Sequence, residues 1–155
     1  MNPAYHAYLT FCEASPMSLS IRNQLPGTIT AITPGEVMAA VKVHLNGGQD
    51  LTAAITLDAV EELGLAQGTA VTALVKATEI SLSTTPIEGL SIRNQLPGTV
   101  TGIATGGAMA SVKIAVAGAA LTAAITRDAT TDLALSPGMP VVALVKATQV
   151  ALTTA

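Results

Sequence analysis

The chain has one cysteine, no tryptophan, two tyrosines and one phenylalanine in 155 residues. With Cys12 alone there is no intrachain disulfide, and a free thiol fits a reducing compartment. The three aromatic residues, Tyr5, Tyr8 and Phe11, all lie near the start, so the remainder offers no ring on which a nucleic-acid base could stack. Charge is also scarce, with seven basic and ten acidic residues and a net charge of −3, so no long-range field gathers anions or nucleic acid. Any anion specificity must be local. Half of the residues are hydrophobic, yet no apolar run approaches the ~20 residues of a membrane-spanning helix. His6 and His44 stand apart, and no nucleophile, base and orienting group occur together in a repeated pattern, so an enzyme is poorly supported. The chain lacks the ligands of a zinc site, a Walker-type phosphate loop, and room for a helix-turn-helix region.

What is present is one module written twice. Ser20-Ile-Arg-Asn-Gln-Leu-Pro-Gly-Thr28 recurs unchanged as Ser91-Ile-Arg-Asn-Gln-Leu-Pro-Gly-Thr99. Pairing 20–49 with 91–120 and, past a gap at Asp50, 51–82 with 121–152 gives 17 identities in the first stretch and 19 in the second, 36 of 62 positions. A repeat this strong fixes the organisation before any other feature is read. The expected domains are 18–84 and 91–155, joined by a linker at 85–90 containing Pro86, Glu88 and Gly89. Residues 1–17 are expected to be an N-terminal extension outside the modules, with neither the basic start nor the cleavage site of a secretory signal. Modules this small bury only about 60% of their unfolded surface, so packing between repeats and oligomerisation are expected to supplement each core.

The basic residues are conserved between copies where the acids are not. Arg22 pairs with Arg93, Lys42 with Lys113 and Lys76 with Lys146, leaving Arg127 alone. Asp58 matches Asp128 and Glu62 faces Asp132, but Glu36, Glu61 and Glu79 have uncharged counterparts. Fixed cations and drifting carboxylates are what an anion site requires, and the opposite of a catalytic carboxylate pair.

Within the first module, Gly27–Ile32 reads as a strand of Thr and β-branched residues ended by Pro34-Gly35. Val37–Leu45 and Leu51–Thr56 read as a hairpin turning at Asn46-Gly47. Asp58–Leu65 suits a short helix, N-capped by Asp58 and closed by Gly68, with Asp128 and Pro137-Gly138 as the equivalents in the second copy. Ala70–Ala77 is a nearly continuous apolar strand, and Ile80–Leu82 a last short one. The fold class is therefore mainly β, as two tandem five-stranded barrels of the oligonucleotide/oligosaccharide-binding (OB) type, each with one short helix.

Arg22 and Asn23 at one strand start, and Lys76 at another strand's end, place a guanidinium, an amide and an ammonium where elements converge. With Ser20, Thr56 and Thr78 they form a donor-rich set suited to a small tetrahedral oxyanion, repeated as Ser91, Arg93, Asn94, Thr126, Lys146 and Thr148. Ser-Ile-Arg-Asn-Gln at each module start, Leu-Thr-Ala-Ala-Ile-Thr in the middle and Ala-Leu-Val-Lys-Ala-Thr near the end resemble the molbindins, small cytoplasmic proteins of Mop (TOBE-type) domains that bind molybdate and tungstate. The tandem arrangement over 18–152 resembles the di-Mop type in particular.

That resemblance implies oxyanion sites between modules or subunits, with Ser20, Arg22, Lys76 and Ala77 in one set and Ser91, Arg93, Lys146 and Ala147 in the other. It implies a contribution from Thr56 and Thr126, and a homotrimer with further sites near its threefold axis. Ala59 and Ala129 depart from the pattern, standing where some relatives have a ligand serine. The implied function is intracellular binding of molybdate or tungstate for storage, buffering or homeostasis, without a cofactor, a bound metal cation, nucleic acid or a membrane. The competing reading is a structural oligomer in which the repeated Arg and Lys form interface ion pairs. Lys42 and Lys113 read as solvent-face or interface charges, Met38 and Met109 as core or interface filler, and His44, facing Ala115, excludes a duplicated histidine site.

Overall fold

The structure, a computed structural model, describes residues 18–154. The expected extension at 1–17, with His6 and Cys12, lies outside the described residues. Ten strands follow one another as β1 (Asn23–Pro34), β2 (Met38–Leu45), β3 (Asp50–Thr56), β4 (Ala70–Val75), β5 (Ser81–Ser83), β6 (Asn94–Thr105), β7 (Met109–Val116), β8 (Ala119–Thr126), β9 (Pro140–Val145) and β10 (Ala151–Thr153). Two short helices, α1 (Leu57–Glu62) and α2 (Arg127–Asp132), precede β4 and β9, and 3-10 turns η1 (Ala77–Glu79) and η2 (Ala147–Gln149) follow them. The molecule is mainly β, as the composition and repeat imply.

Each long first strand serves two neighbours. β1 pairs with β4 through its first half and with β2 through its second, and a bulge between Ile29 and Ala31 bends it between the two ladders. The equivalent bulge in β6 lies between Val100 and Gly102. An extra residue on one strand increases local bend and twist, and here it curls each sheet into a half-barrel. The Pro-Gly pair of the repeated motif serves this curl, because a Cβ on Gly27 would stand 2.5 Å from the His44 carbonyl oxygen. Gly98 is equally tight against the Ala115 carbonyl oxygen.

The fifth strand is where the structure departs from two self-contained barrels. The sheets run β10-β4-β1-β2-β3 and β5-β9-β6-β7-β8. Each module therefore sends its last strand to the other: Leu82 pairs with Ala143, and Leu152 pairs with Ala73. The turns that launch these strands also cross, η1 packing on β8 and η2 on β3. Strict alternation on β2 buries Ala39, Val41, Val43 and Leu45, and β7 repeats it with Ala110, Val112, Ile114 and Val116. All of these except Ala110 join Leu25, Ile29, Leu51, Val71, Val75 and their equivalents in one continuous core that spans both halves. Each such Val, Leu or Ile contributes about 1.5–3 kcal/mol by leaving water.

Several local expectations are corrected. Thr56 and Thr126, not Asp58 and Asp128, cap the helices, their hydroxyls accepting from the Ala59 and Ala129 amides at 3.2 and 3.1 Å. The strands run on to the threonines, so the aspartates fall inside the first turn, where their charge favours the helix dipole instead. The helices end sooner than expected, at Gly64 with φ +62° and at Ala134 with φ +52°, rather than at Gly68 and Pro137-Gly138. The first hairpin turns over residues 46–49 with its positive φ at Gly48, not as a two-residue Asn46-Gly47 turn. Gly47 is instead pressed against the tip of the second hairpin, where any Cβ would collide with the Ala117 carbonyl oxygen. Of the two roles expected for Met38 and Met109, core or interface filler, the core is excluded, since they are 43% and 47% exposed in the single chain.

Candidate oxyanion site

The β1–β4 register brings the first pair of cations together. Asn23 pairs with Val75, so Arg22, one residue before, and Lys76, one residue after, leave the ladder side by side. Asn94 pairs with Val145, and Arg93 and Lys146 emerge beside each other in the same way. Both arginines are tied to their own loops. Arg22 donates from Nε to the Ser20 carbonyl at 3.2 Å and from Nη2 to the Leu19 carbonyl; Arg93 donates to the Ser91 and Leu90 carbonyls at 3.5 and 2.7 Å. These bonds hold the Ser-x-Arg turn closed and use up only part of each guanidinium, which carries five N–H donors.

In the second module Ser91, Ile92, Lys146, Ala147 and Thr148 line one open cleft of about 240 Å3. Lys146 is the last residue before η2, so Ala147 and Thr148 begin a tight turn whose first amides have no partner within the turn. Ser20, Arg22, Lys76 and Thr78 are exposed, as are Ser91, Arg93, Lys146 and Thr148, while Ala77 and Ala147 are half-buried. The structure thus assembles hydroxyl, ammonium and guanidinium groups at one end of each half-barrel, open to solvent within a single chain.

The asparagines that adjoin these cations have a different use. Asn23 is 1% exposed and Asn94 3%. The Asn23 amide donates to the Val75 and Thr122 carbonyls at 3.0 and 2.9 Å and accepts from the Thr122 amide at 2.7 Å. Asn94 donates to the Thr52 carbonyl at 2.8 Å and accepts from its amide at 2.7 Å. Each side chain thereby acts like one residue of an extra strand, satisfying the open edge of β8 or β3 in the opposite half. Both belong to the donor set expected for the anion, but their amides are buried and bonded to backbone, which fixes the strand start from which the adjoining arginine leaves.

Thr56 and Thr126 are exposed and committed as helix caps. Thr56 lies four residues beyond Thr52, about 13 Å along β3 from the Asn94 clamp. Lys42 and Lys113 are exposed on mid-strand, Lys113 donating to the Thr122 hydroxyl at 2.9 Å. His44 meets Asp50 at 2.8 Å on an exposed hairpin. Among the described residues, no three His, Cys, Asp or Glu side chains are grouped as a metal cation would need.

The TOBE domain family model matches the chain twice, over residues 19–82 and 90–152. The chain belongs to the TOBE domain family. A solved structure of the cytoplasmic molybdate-binding protein ModG, with molybdate bound, superposes with a TM-score of 0.87 at 40% identity, covering 90% of this chain and 100% of that one. The molybdenum transport protein ModE of Azotobacter vinelandii is 35% identical over 147 residues, 94% of this chain and 54% of that protein. Molybdenum-pterin-binding protein 2 of Clostridium pasteurianum is 44% identical over 66 residues, 43% of this chain and 97% of that protein. The chain spans about half the length of ModE and the whole of the ModG chain. The molbindin resemblance drawn from the repeated motifs is thus supported by the tandem family match and by ModG. No helix among the described residues is long and apolar enough to cross a membrane.

Proposed function

We propose that this chain binds molybdate reversibly, and tungstate by the same chemistry, in the cytoplasm, for storage and buffering of the oxyanion. The observation that carries the reading is the pairing of Arg22 with Lys76 and of Arg93 with Lys146 at equivalent strand ends, the second pair beside the cleft of Ser91, Lys146, Ala147 and Thr148. Two positive charges match a dianion, and hydroxyls and turn amides supply further donors to its four oxygens. The kinship with ModG supports molybdate as the ligand. The function is binding rather than catalysis: Ser20, Arg22, Lys76, Ala77 and Thr78, with Ser91, Arg93, Lys146, Ala147 and Thr148, hold the anion, and none is asked to transfer a proton or a bond.

Both cation pairs are exposed in the single chain, and a dianion held in water gains little from them. Packing of further copies, as a homotrimer, would cover the open clefts, bring the capping Thr56 and Thr126 of neighbouring copies toward them, and raise the strength of each charge contact by excluding water. Titration calorimetry of the anion-stripped protein with molybdate, with sulfate as control and the mass from light scattering, tests the reading. Saturable molybdate binding by an oligomer with little response to sulfate is expected. Arg22→Ala/Arg93→Ala should abolish that binding while the mass stays the same; loss of assembly alone would instead assign the arginines to interface ion pairs.

A further inference from the structure

The two cation pairs are duplicated in sequence and position, but their immediate electrostatic surroundings are not. η1 begins directly after Lys76, and its third residue is Glu79, whose amide donates to the Lys76 carbonyl at 2.9 Å. η2 repeats that bond with Gln149 and Lys146 at the same 2.9 Å. An i→i+3 hydrogen bond closes a single turn, so residue 79 or 149 stands one turn, on the order of 6 Å, from the lysine. The first pair therefore has a half-buried carboxylate one turn away, and the second a neutral amide. Among the described residues Glu79 has no ion-pair partner that would neutralise it. The backbone is otherwise alike: the residues preceding η1 and η2 have φ/ψ of −66°/141° and −66°/139°.

We propose that Glu79 makes the two oxyanion sites of the chain unequal, the one built on Lys76 holding a dianion more weakly than the one built on Lys146. This rests on the molybdate reading above and adds to it a residue that sets relative affinity without touching the anion. A carboxylate within one turn of a lysine that holds a dianion opposes binding on the order of three- to tenfold when partly solvated, and salt diminishes the effect. The chain then fills its stronger site first and keeps the weaker one for higher molybdate concentrations, extending the range over which it buffers. Because lysine and carboxylate sit in one turn, the difference travels with the turn whichever copy completes the site.

The test is molybdate titration of the full chain at low ionic strength, comparing wild type with Glu79→Gln, Gln149→Glu, Lys76→Ala and Lys146→Ala. Two classes of site are expected in the wild type, with Lys76→Ala removing the weaker and Lys146→Ala the stronger. Glu79→Gln should tighten the weaker class three- to tenfold and merge the two, and Gln149→Glu should weaken the stronger class to match. If the lysine variants each remove a class while Glu79→Gln and Gln149→Glu leave affinities unchanged, the inference about Glu79 is overturned and the site reading stands. If neither lysine variant alters binding, the site reading itself falls, and this inference with it.

Discussion

Ala134 shows how one side chain can hold a conformation that its own chemistry disfavours. It closes α2 with φ +52°, where the first copy has Gly64 at φ +62°. A Cβ in the left-handed region costs about 1–2 kcal/mol, and Gly64 avoids that cost. No atom lies within 4 Å of where a Cβ on Gly64 would be, so the penalty there is purely conformational. Ala134→Gly should raise stability by about 0.5–1 kcal/mol, the strain relief being partly offset by glycine's greater freedom when unfolded, and thermal unfolding should move up by about 2–4 °C. Gly64→Ala should move it down by a similar amount. The clamping asparagines are a different case. Asn23→Ala would leave the Thr122 amide and carbonyl without their buried partner, so a loss of about 2–3 kcal/mol in urea denaturation is expected, and Asn94→Ala should behave alike through Thr52.

At the scale of elements, the exchanged strands make a prediction that self-contained barrels would contradict. Removing residues 150–155 deletes β10, which is in the second module by sequence but pairs with β4 of the first. Amide exchange should then accelerate at Thr72, Ala73 and Leu74 of the first module, while β9, still paired with β5 and β6, keeps its protection. The sequence revealed the strands but not this pairing. Ser81-Leu-Ser83 and Ala151-Leu-Thr153 each put a leucine between two small residues, so either would fit beside β4 or β9, and only the direction in which η1 and η2 leave decides. The helix caps were ambiguous for a related reason: Thr and Asp are both good N-caps, and the choice follows from where the strand ladder stops, which Met38 opposite Thr56 determines. Of the candidate site, the sequence shows the exact duplication of Arg22, Lys76 and their equivalents, and the ladder register sets each pair side by side. What composition cannot reveal is whether an amide faces an anion or a strand edge, and Asn23 and Asn94 face the edge.

For the whole molecule, a core that runs through both modules and strands that lock each half into the other imply one cooperative unit. Chemical denaturation followed by far-ultraviolet circular dichroism and by amide exchange should give a single coincident transition, not two, despite the twofold repeat. A single module made alone would end with its fifth strand unpaired and its β4 edge open, and would have to obtain both partners from a second molecule. Joining the two modules in one chain turns that encounter into an internal one, at an effective concentration on the order of millimolar for a short linker. The exchange then no longer depends on how dilute the protein is. A cell that makes only a few copies still has every sheet complete, and each newly made chain carries its own partner.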